Sequence, residues 1–210
     1  MKIIAITSMK NVSGGIDDFY KQISKVSESG VDKIILREKE LDEKSFTEIA
    51  LKCKEICEKS RTDFAINKYF NVAKELSIKN IHLSIFDFIE NRNKLDFFDC
   101  IGVSVHSLQE AETAQKLGAS YIIAGHIFKT ACKEGLEPRG INFLREICDN
   151  IKIPVYAIGG ISPENISEIK NTNAHGICLM SSMMKATNPK ELVDKLGFVK
   201  TVGLCPTPTY

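Results

Sequence analysis

Short apolar runs alternate along the chain with longer segments of helical period. Eight runs are nearly continuous and rich in β-branched residues, which is typical of strands buried on both faces. They lie at residues 2–8, 33–38, 63–67, 80–84, 100–106, 121–126, 154–160 and 176–181. Amphipathic spacing predicts helices between them at residues 16–29, 41–59, 108–117, 141–150, 163–170 and 189–196, and shorter turns of helix near 71–77 and 88–92. Ser162 followed by Pro163 is a typical start for the helix at 163–170.

Eight strand and helix units in 210 residues predict an α/β fold, a single-domain (β/α)8 TIM barrel over residues 1–210, with 197–210 as a C-terminal tail. An open doubly wound sheet uses the same alternation and stays an alternative. Such a sheet often binds a dinucleotide through a G-x-G-x-x-G turn after its first strand. Gly14-Gly15 lacks the third glycine, so a dinucleotide site is not indicated.

Charge and hydropathy limit the classes of partner. The chain has 28 Lys plus Arg and 27 Asp plus Glu. This balance argues against a protein that coats nucleic acid or anionic lipid. The start lacks the pattern of a signal peptide, and no apolar run of about 18 residues indicates a membrane span. We therefore expect a cytoplasmic protein with no nucleic-acid or membrane partner.

Polar residues follow the apolar runs, and in a TIM barrel active residues lie at the carboxyl ends of the strands. His126 ends the sixth run and precedes a loop rich in Thr, Lys and Arg, so it is a candidate acid/base. The alternative is a structural role, in which the histidine ring hydrogen-bonds a neighbouring loop. Gly159-Gly160 and Ser181-Ser182, after runs seven and eight, predict a phosphate site. A glycine pair needed only for packing is the alternative there.

Six motifs lie at or near the ends of the predicted strands. They are LREK (36–39), IN (66–67), HL (82–83), GVSVHSLQEA (102–111), GHIFKTACKEGLEPRG (125–140) and PVYAIGGISPEN (154–165). With these motifs the chain resembles the thiamine phosphate synthase superfamily. The synthase branch typically reads IND and GPIF, and that aspartate helps to hold magnesium and diphosphate. Here Lys68 stands in place of that aspartate, and His126 stands in place of the proline of GPIF. Ile35 replaces the glutamine that usually precedes LREK in the synthase branch. GHIF with the motif after it is similar to the TenI-type thiazole tautomerase, a metal-free isomerase.

The resemblance implies a thiazole tautomerase of thiamine biosynthesis that needs no cofactor and no metal. Such an isomerase converts a carboxythiazoline phosphate with an exocyclic double bond into the aromatic 2-carboxy-4-methylthiazole ethyl phosphate by proton transfer. His126 would accept and deliver the proton, since an imidazole titrates near neutrality. The substrate, a small phosphorylated thiazole, would contact several further residues. These are Arg37, Lys39, Asn67, Ser104, Thr130, Lys133, Gly160, Met180 and Ser181, of which the last three would hold the phosphate through backbone groups.

Other interpretations stay open. One is thiamine phosphate synthase, a transferase that joins a pyrimidine diphosphate to the thiazole. Another is a non-catalytic, regulatory protein that binds thiazole phosphate. A zinc site formed by His82, His106 and His126 is a third, because three imidazoles and a water make a catalytic zinc centre. A homodimer is also open, since similar proteins tend to be dimers, although the sequence shows no interface signature.

Overall fold

The computed structural model describes residues 1–197 and shows a closed barrel of eight parallel strands. The strands follow chain order, and the eighth pairs with the first. They are β1 (Lys2–Ile6), β2 (Lys33–Leu36), β3 (Asp63–Asn67), β4 (Asn80–Ser84), β5 (Cys100–Val105), β6 (Tyr121–Gly125), β7 (Val155–Ile158) and β8 (Gly176–Leu179). The prediction of a TIM barrel is confirmed. The predicted tail, beyond Gly197, lies outside the described residues.

Helices connect the strands and cover the outside of the barrel. They are α1 (Ile16–Glu28), α2 (Glu43–Ser60), α3 (Phe70–Glu75), α4 (Ile85–Glu90), α5 (Leu108–Lys116), α6 (Gly140–Asn150), α7 (Ile166–Lys170), α8 (Ser181–Lys185) and α9 (Pro189–Leu196). Side chains cap several of them: Asp42 accepts from the Ser45 amide at 2.8 Å and Ser107 from the Glu110 amide at 3.1 Å. Within residues 1–197, no helix combines the length and apolar character that a bilayer crossing needs.

Two helical features differ from the prediction. α7 begins at Ile166 rather than at Pro163. The Asn165 side chain bonds the preceding loop instead, accepting from the Ser162 amide at 2.9 Å and donating to the Gly160 carbonyl at 2.8 Å. Such side-chain bonds to backbone compete with helix formation. α8 was not predicted, because five residues are too few to show a helical period.

The core has two layers, which explains why the strands are apolar on both faces. Alternate strand residues point outward and pack against the helices, as Ile3 and Ala5 do. The others fill the barrel interior, as Ile4 and Ile6 do. The interior also holds polar groups, including Lys33, which pairs with Ile4 across β1 and β2 and is 1% exposed. Lys33 is the first residue of β2, so this amine enters the interior near the amino ends of the strands.

Candidate active site at the barrel mouth

The closed barrel brings the carboxyl ends of all eight strands to one mouth. Every predicted site residue lies at or after such an end, or in the loop that follows β6. Arg37 and Lys39 follow β2, Asn67 ends β3, and Ser104 is the fifth residue of β5. His126, Thr130 and Lys133 follow β6, Gly160 follows β7, and Met180 and Ser181 follow β8. The fold therefore places the residues predicted from sequence at one end of one barrel.

Arg37 brings positive charge to the mouth. The neighbouring Glu38 carboxylate accepts the Thr7 hydroxyl at 2.6 Å and the Met9 amide at 3.0 Å. The Thr7 hydroxyl oxygen in turn accepts the Arg37 amide at 3.0 Å. Among residues 1–197, Arg37 forms no ion pair. Burial lowers the pKa of Arg37 and raises that of Glu38, although hydrogen bonds from Thr7 and Met9 oppose the second shift. Glu38 and Thr7 were not in the predicted site, although Thr7 directly follows β1 and Glu38 comes two residues after β2.

Four cations form a group that we call the mouth cations: Arg37, Lys39, Lys68 and Lys133. Arg37 is the largest cause of a lowered pKa at Lys39, followed by burial and then Lys68. At Lys133 burial lowers the pKa most, followed by Arg139, Arg37 and Lys39. A nearby like charge lowers the pKa of a cation, so the lowered pKa values of Lys39 and Lys133 indicate that other cations lie close to them. The mouth is therefore a region of positive potential suited to anions.

Asn67 and Ser104 are held by one buried histidine. The Asn67 amide nitrogen donates to the His82 carbonyl at 2.9 Å, and His82 Nε2 lies 2.8 Å from the Ser104 hydroxyl. Burial lowers the pKa of His82 to about 3, with smaller contributions from Lys33 and Arg37. His82 is therefore neutral at physiological pH and holds two predicted substrate contacts in place.

His126 is 5% exposed, and its Nε2 lies 3.3 Å from the Leu136 carbonyl in the loop that follows β6. The His126 carbonyl accepts the Arg139 amide at 2.9 Å. His126 therefore contacts the later part of this loop, which is the contact expected if its role is structural. Within the same loop the Thr130 hydroxyl accepts the Cys132 amide at 3.3 Å, and Lys133 Nζ lies 3.4 Å from His106 Nε2.

The glycine pair after β7 packs tightly against this loop. Gly159 and Gly160 have φ of 102° and 67°. A Cβ on Gly159 would lie 2.9 Å from the His126 Cα, and one on Gly160 would lie 2.8 Å from the Phe128 carbonyl carbon. Packing therefore requires both glycines. Met180 and Ser181 are partly exposed where β8 meets α8, and the predicted phosphate contacts of Gly160, Met180 and Ser181 stay predictions.

The donor groups at the mouth do not fit a metal site. Within residues 1–197, no three His, Cys, Asp or Glu side chains gather as ligands would. His82, His106 and His126 each contact a different group, namely Ser104, Lys133 and the Leu136 carbonyl. The zinc alternative therefore lacks a ligand set. Lys68 also puts a cation at the end of β3, where a magnesium ion would need an oxygen ligand.

Comparisons with known proteins give one consistent family. The family described as thiamine monophosphate synthase matches residues 3–183. A thiamine-phosphate synthase of Fusobacterium nucleatum is 36% identical over 198 residues, which is 93% of this chain and 95% of the relative. The thiamine-phosphate synthase of Pyrococcus furiosus is 43% identical over 96 residues, 46% of each chain.

Solved structures agree with this family. A thiamine phosphate pyrophosphorylase from Pyrococcus furiosus has a TM-score of 0.77 and 27% identity, with 93% of each chain covered. A 3-hexulose-6-phosphate synthase has a TM-score of 0.65 at 14% identity, covering 93% of this chain and 98% of the other, and shows the fold alone.

The predicted superfamily is confirmed, but the predicted isomerase is wrong. These relatives are named thiamine-phosphate synthase, which is a transferase. The tautomerase interpretation depended chiefly on the motif at residues 125–140, whereas the similarity to a synthase extends over 198 residues. The structure gives a local reason for a histidine at position 126, because its ring contacts the loop formed by this motif.

Proposed function

Because the chain belongs to the thiamine monophosphate synthase family, we propose that it is a thiamine-phosphate synthase. This transferase joins a pyrimidine diphosphate to a thiazole phosphate and releases diphosphate. The observation that carries the proposal is 36% identity to a relative of that name over 93% of the chain. The mouth cations support it, because both substrates are anions.

The chemistry explains why positive charge is useful at this mouth. The lone pair of the thiazole ring nitrogen forms a bond to the pyrimidine substrate's carbon that carries the diphosphate, and the bond from that carbon to a diphosphate oxygen breaks. The electron pair leaves with the diphosphate, so negative charge grows on that oxygen in the transition state. Fixed positive groups that stabilise this growing charge lower the barrier. Arg37, Lys39 and Lys133 are our candidates for that role.

The remaining predicted contacts position the thiazole. Gly160, Met180 and Ser181 bind its phosphate through backbone N–H groups, which favour anions where they converge. Asn67 and Ser104, both held by His82, contact the ring, and Thr130 contributes a hydroxyl from the loop after β6. His126 shapes that loop and is given no proton-transfer role, because the transfer needs no proton shuttle of that kind.

The test is a synthase assay on the purified full chain. Pyrimidine diphosphate and thiazole phosphate are supplied, and thiamine phosphate and pyrophosphate are measured by chromatography. We expect both products in equal amounts, and we expect Arg37→Ala to lower kcat/KM about a hundredfold. Lys116→Ala, an exposed change at the end of α5 and away from the mouth, is the control and should keep full activity. A folded wild-type chain that binds thiazole phosphate but forms no product would instead favour the non-catalytic alternative.

A further inference from the structure

Lys68 extends from a backbone that is fixed at the barrel mouth. It follows Asn67, the last residue of β3, and its side chain is exposed. Its amide donates to the His82 carbonyl at 3.2 Å, and the Asn67 side chain donates to the same carbonyl at 2.9 Å. Its φ of 73° is in the left-handed region, which non-glycine residues seldom adopt. The lysine therefore stands at a defined place on the rim.

The neighbouring strand places further cations beside Lys68. Leu36 of β2 pairs with Ile66 of β3, so Arg37 and Asn67 are level at the mouth. Paired strands lie about 4.8 Å apart, which keeps the residues after them close. Lys68 contributes to the lowered pKa of Lys39, and Arg37 contributes to those of Lys39 and Lys133. An anion that reaches this point meets several positive groups at once.

Three carboxylates near the mouth accept hydrogen bonds from within the chain. Glu38 accepts from Thr7 and Met9, and Asp87 accepts the Ser84 hydroxyl at 2.7 Å. Glu110 accepts the His106 amide at 2.6 Å. A magnesium ion that holds a phosphate group usually takes one or two carboxylates from the protein, and after Asn67 this chain has a lysine instead of a carboxylate. The charges on the rim suit an anion better than a metal ion.

We propose that the mouth cations bind the diphosphate of the pyrimidine substrate directly, with Lys68 in the place of a magnesium ion, so that diphosphate binding needs no divalent cation. The proposal rests on the proposed synthase function, but diphosphate binding can be measured without turnover. A lysine ammonium is a compact charge with three donors. Its charge-assisted hydrogen bonds to phosphate oxygens are stronger than those between neutral groups.

Calorimetric titration of the full chain with inorganic pyrophosphate tests the proposal. It is carried out once with EDTA and once with excess magnesium. We expect wild-type protein to bind in EDTA at least as tightly as in magnesium. Lys68→Asn removes the charge and keeps a residue that tolerates positive φ, and it should weaken binding in EDTA about tenfold. Lys116→Ala removes the same charge far from the mouth and should bind as wild type does.

Lys68→Asp supplies the opposite test, because it introduces an oxygen ligand at the end of β3. We expect this variant to bind pyrophosphate weakly in EDTA and to regain affinity when magnesium is added. Circular dichroism of each variant checks that it is folded. Wild-type binding that requires magnesium would overturn the proposal, and so would a Lys68→Asn variant that binds as tightly as wild type in EDTA.

Failure of this inference differs from failure of the proposed function. A chain that forms thiamine phosphate but binds pyrophosphate only when magnesium is present would remain a synthase and refute direct binding by Lys68. A chain that binds pyrophosphate in EDTA yet forms no thiamine phosphate from its two substrates would refute the synthase and leave the anion site in place.

Discussion

Lys33 carries an amine into the barrel interior, where it is 1% exposed. Its Nζ lies 3.4 Å from the Cys100 sulfur and 5.2 Å from the centre of the Tyr121 ring. Burial lowers its pKa from 10.5 to about 8, although Asp63 acts in the opposite direction. Because a tenfold change in a proton equilibrium corresponds to about 1.4 kcal/mol, the charged amine costs the folded state about 3 kcal/mol.

Replacing Lys33 with methionine removes the charge and keeps a long side chain. Below pH 8 both the folded and the unfolded wild type carry the proton, so the full cost is present. Between about pH 8 and 10.5 the folded state loses the proton first, and the cost disappears. We therefore expect Lys33→Met to be more stable than wild type at pH 7 by about 3 kcal/mol, a figure that already includes the attraction between Asp63 and the charged amine. The difference should shrink as the pH rises to 10.5.

Urea unfolding followed by circular dichroism measures this difference. Wild type and variant are compared at each pH, so that the titration of other residues cancels. Lys116→Met makes the same change at an exposed position and should give no comparable gain. A Lys33→Met protein no more stable than wild type at pH 7 would refute the reasoning, as would a gain that stays constant between pH 7 and pH 10.5.

Two further predictions concern the loop after β6. Gly160→Ala should lower the free energy of unfolding by about 1 to 3 kcal/mol, because φ is 67° and the new Cβ would meet Phe128. Gly135→Ala, with φ of 80° but open space around its Cα, is the matched control in urea unfolding, and an equal loss there would show that the contact does not matter. His126→Ala removes the bond to the Leu136 carbonyl and should speed amide hydrogen exchange in residues 129–139, as measured by mass spectrometry. His175→Ala is the control, and unchanged exchange in the His126 variant would contradict the anchoring role.

Much of the fold could be read from local pattern. Eight buried strands appear as continuous apolar runs, and all eight form within a few residues of the predicted bounds. The candidate site residues were chosen because polar residues follow those runs, and their roles stay predictions. The features that were missed are short or depend on side chains, as α8 and the Asn165 bonds before α7 show. The 125–140 motif led to the wrong reaction, because a local pattern does not show which group a side chain meets.

The amino-acid sequence by itself determined the strands and their succession along the chain, because these follow from the period of apolar residues. It also predicted that the candidate site lies at the carboxyl ends of the strands, since parallel strands end together. The closed order of the strands came from the tertiary structure. Only the tertiary structure decided that Glu38 is already bonded by Thr7 and Met9, that His126 meets Leu136, and that Lys68 joins Arg37 and Lys39. These contacts join different strands or opposite ends of a loop. They arise only when the barrel closes, because burial and charge at the mouth depend on which side chains the closed sheet brings together.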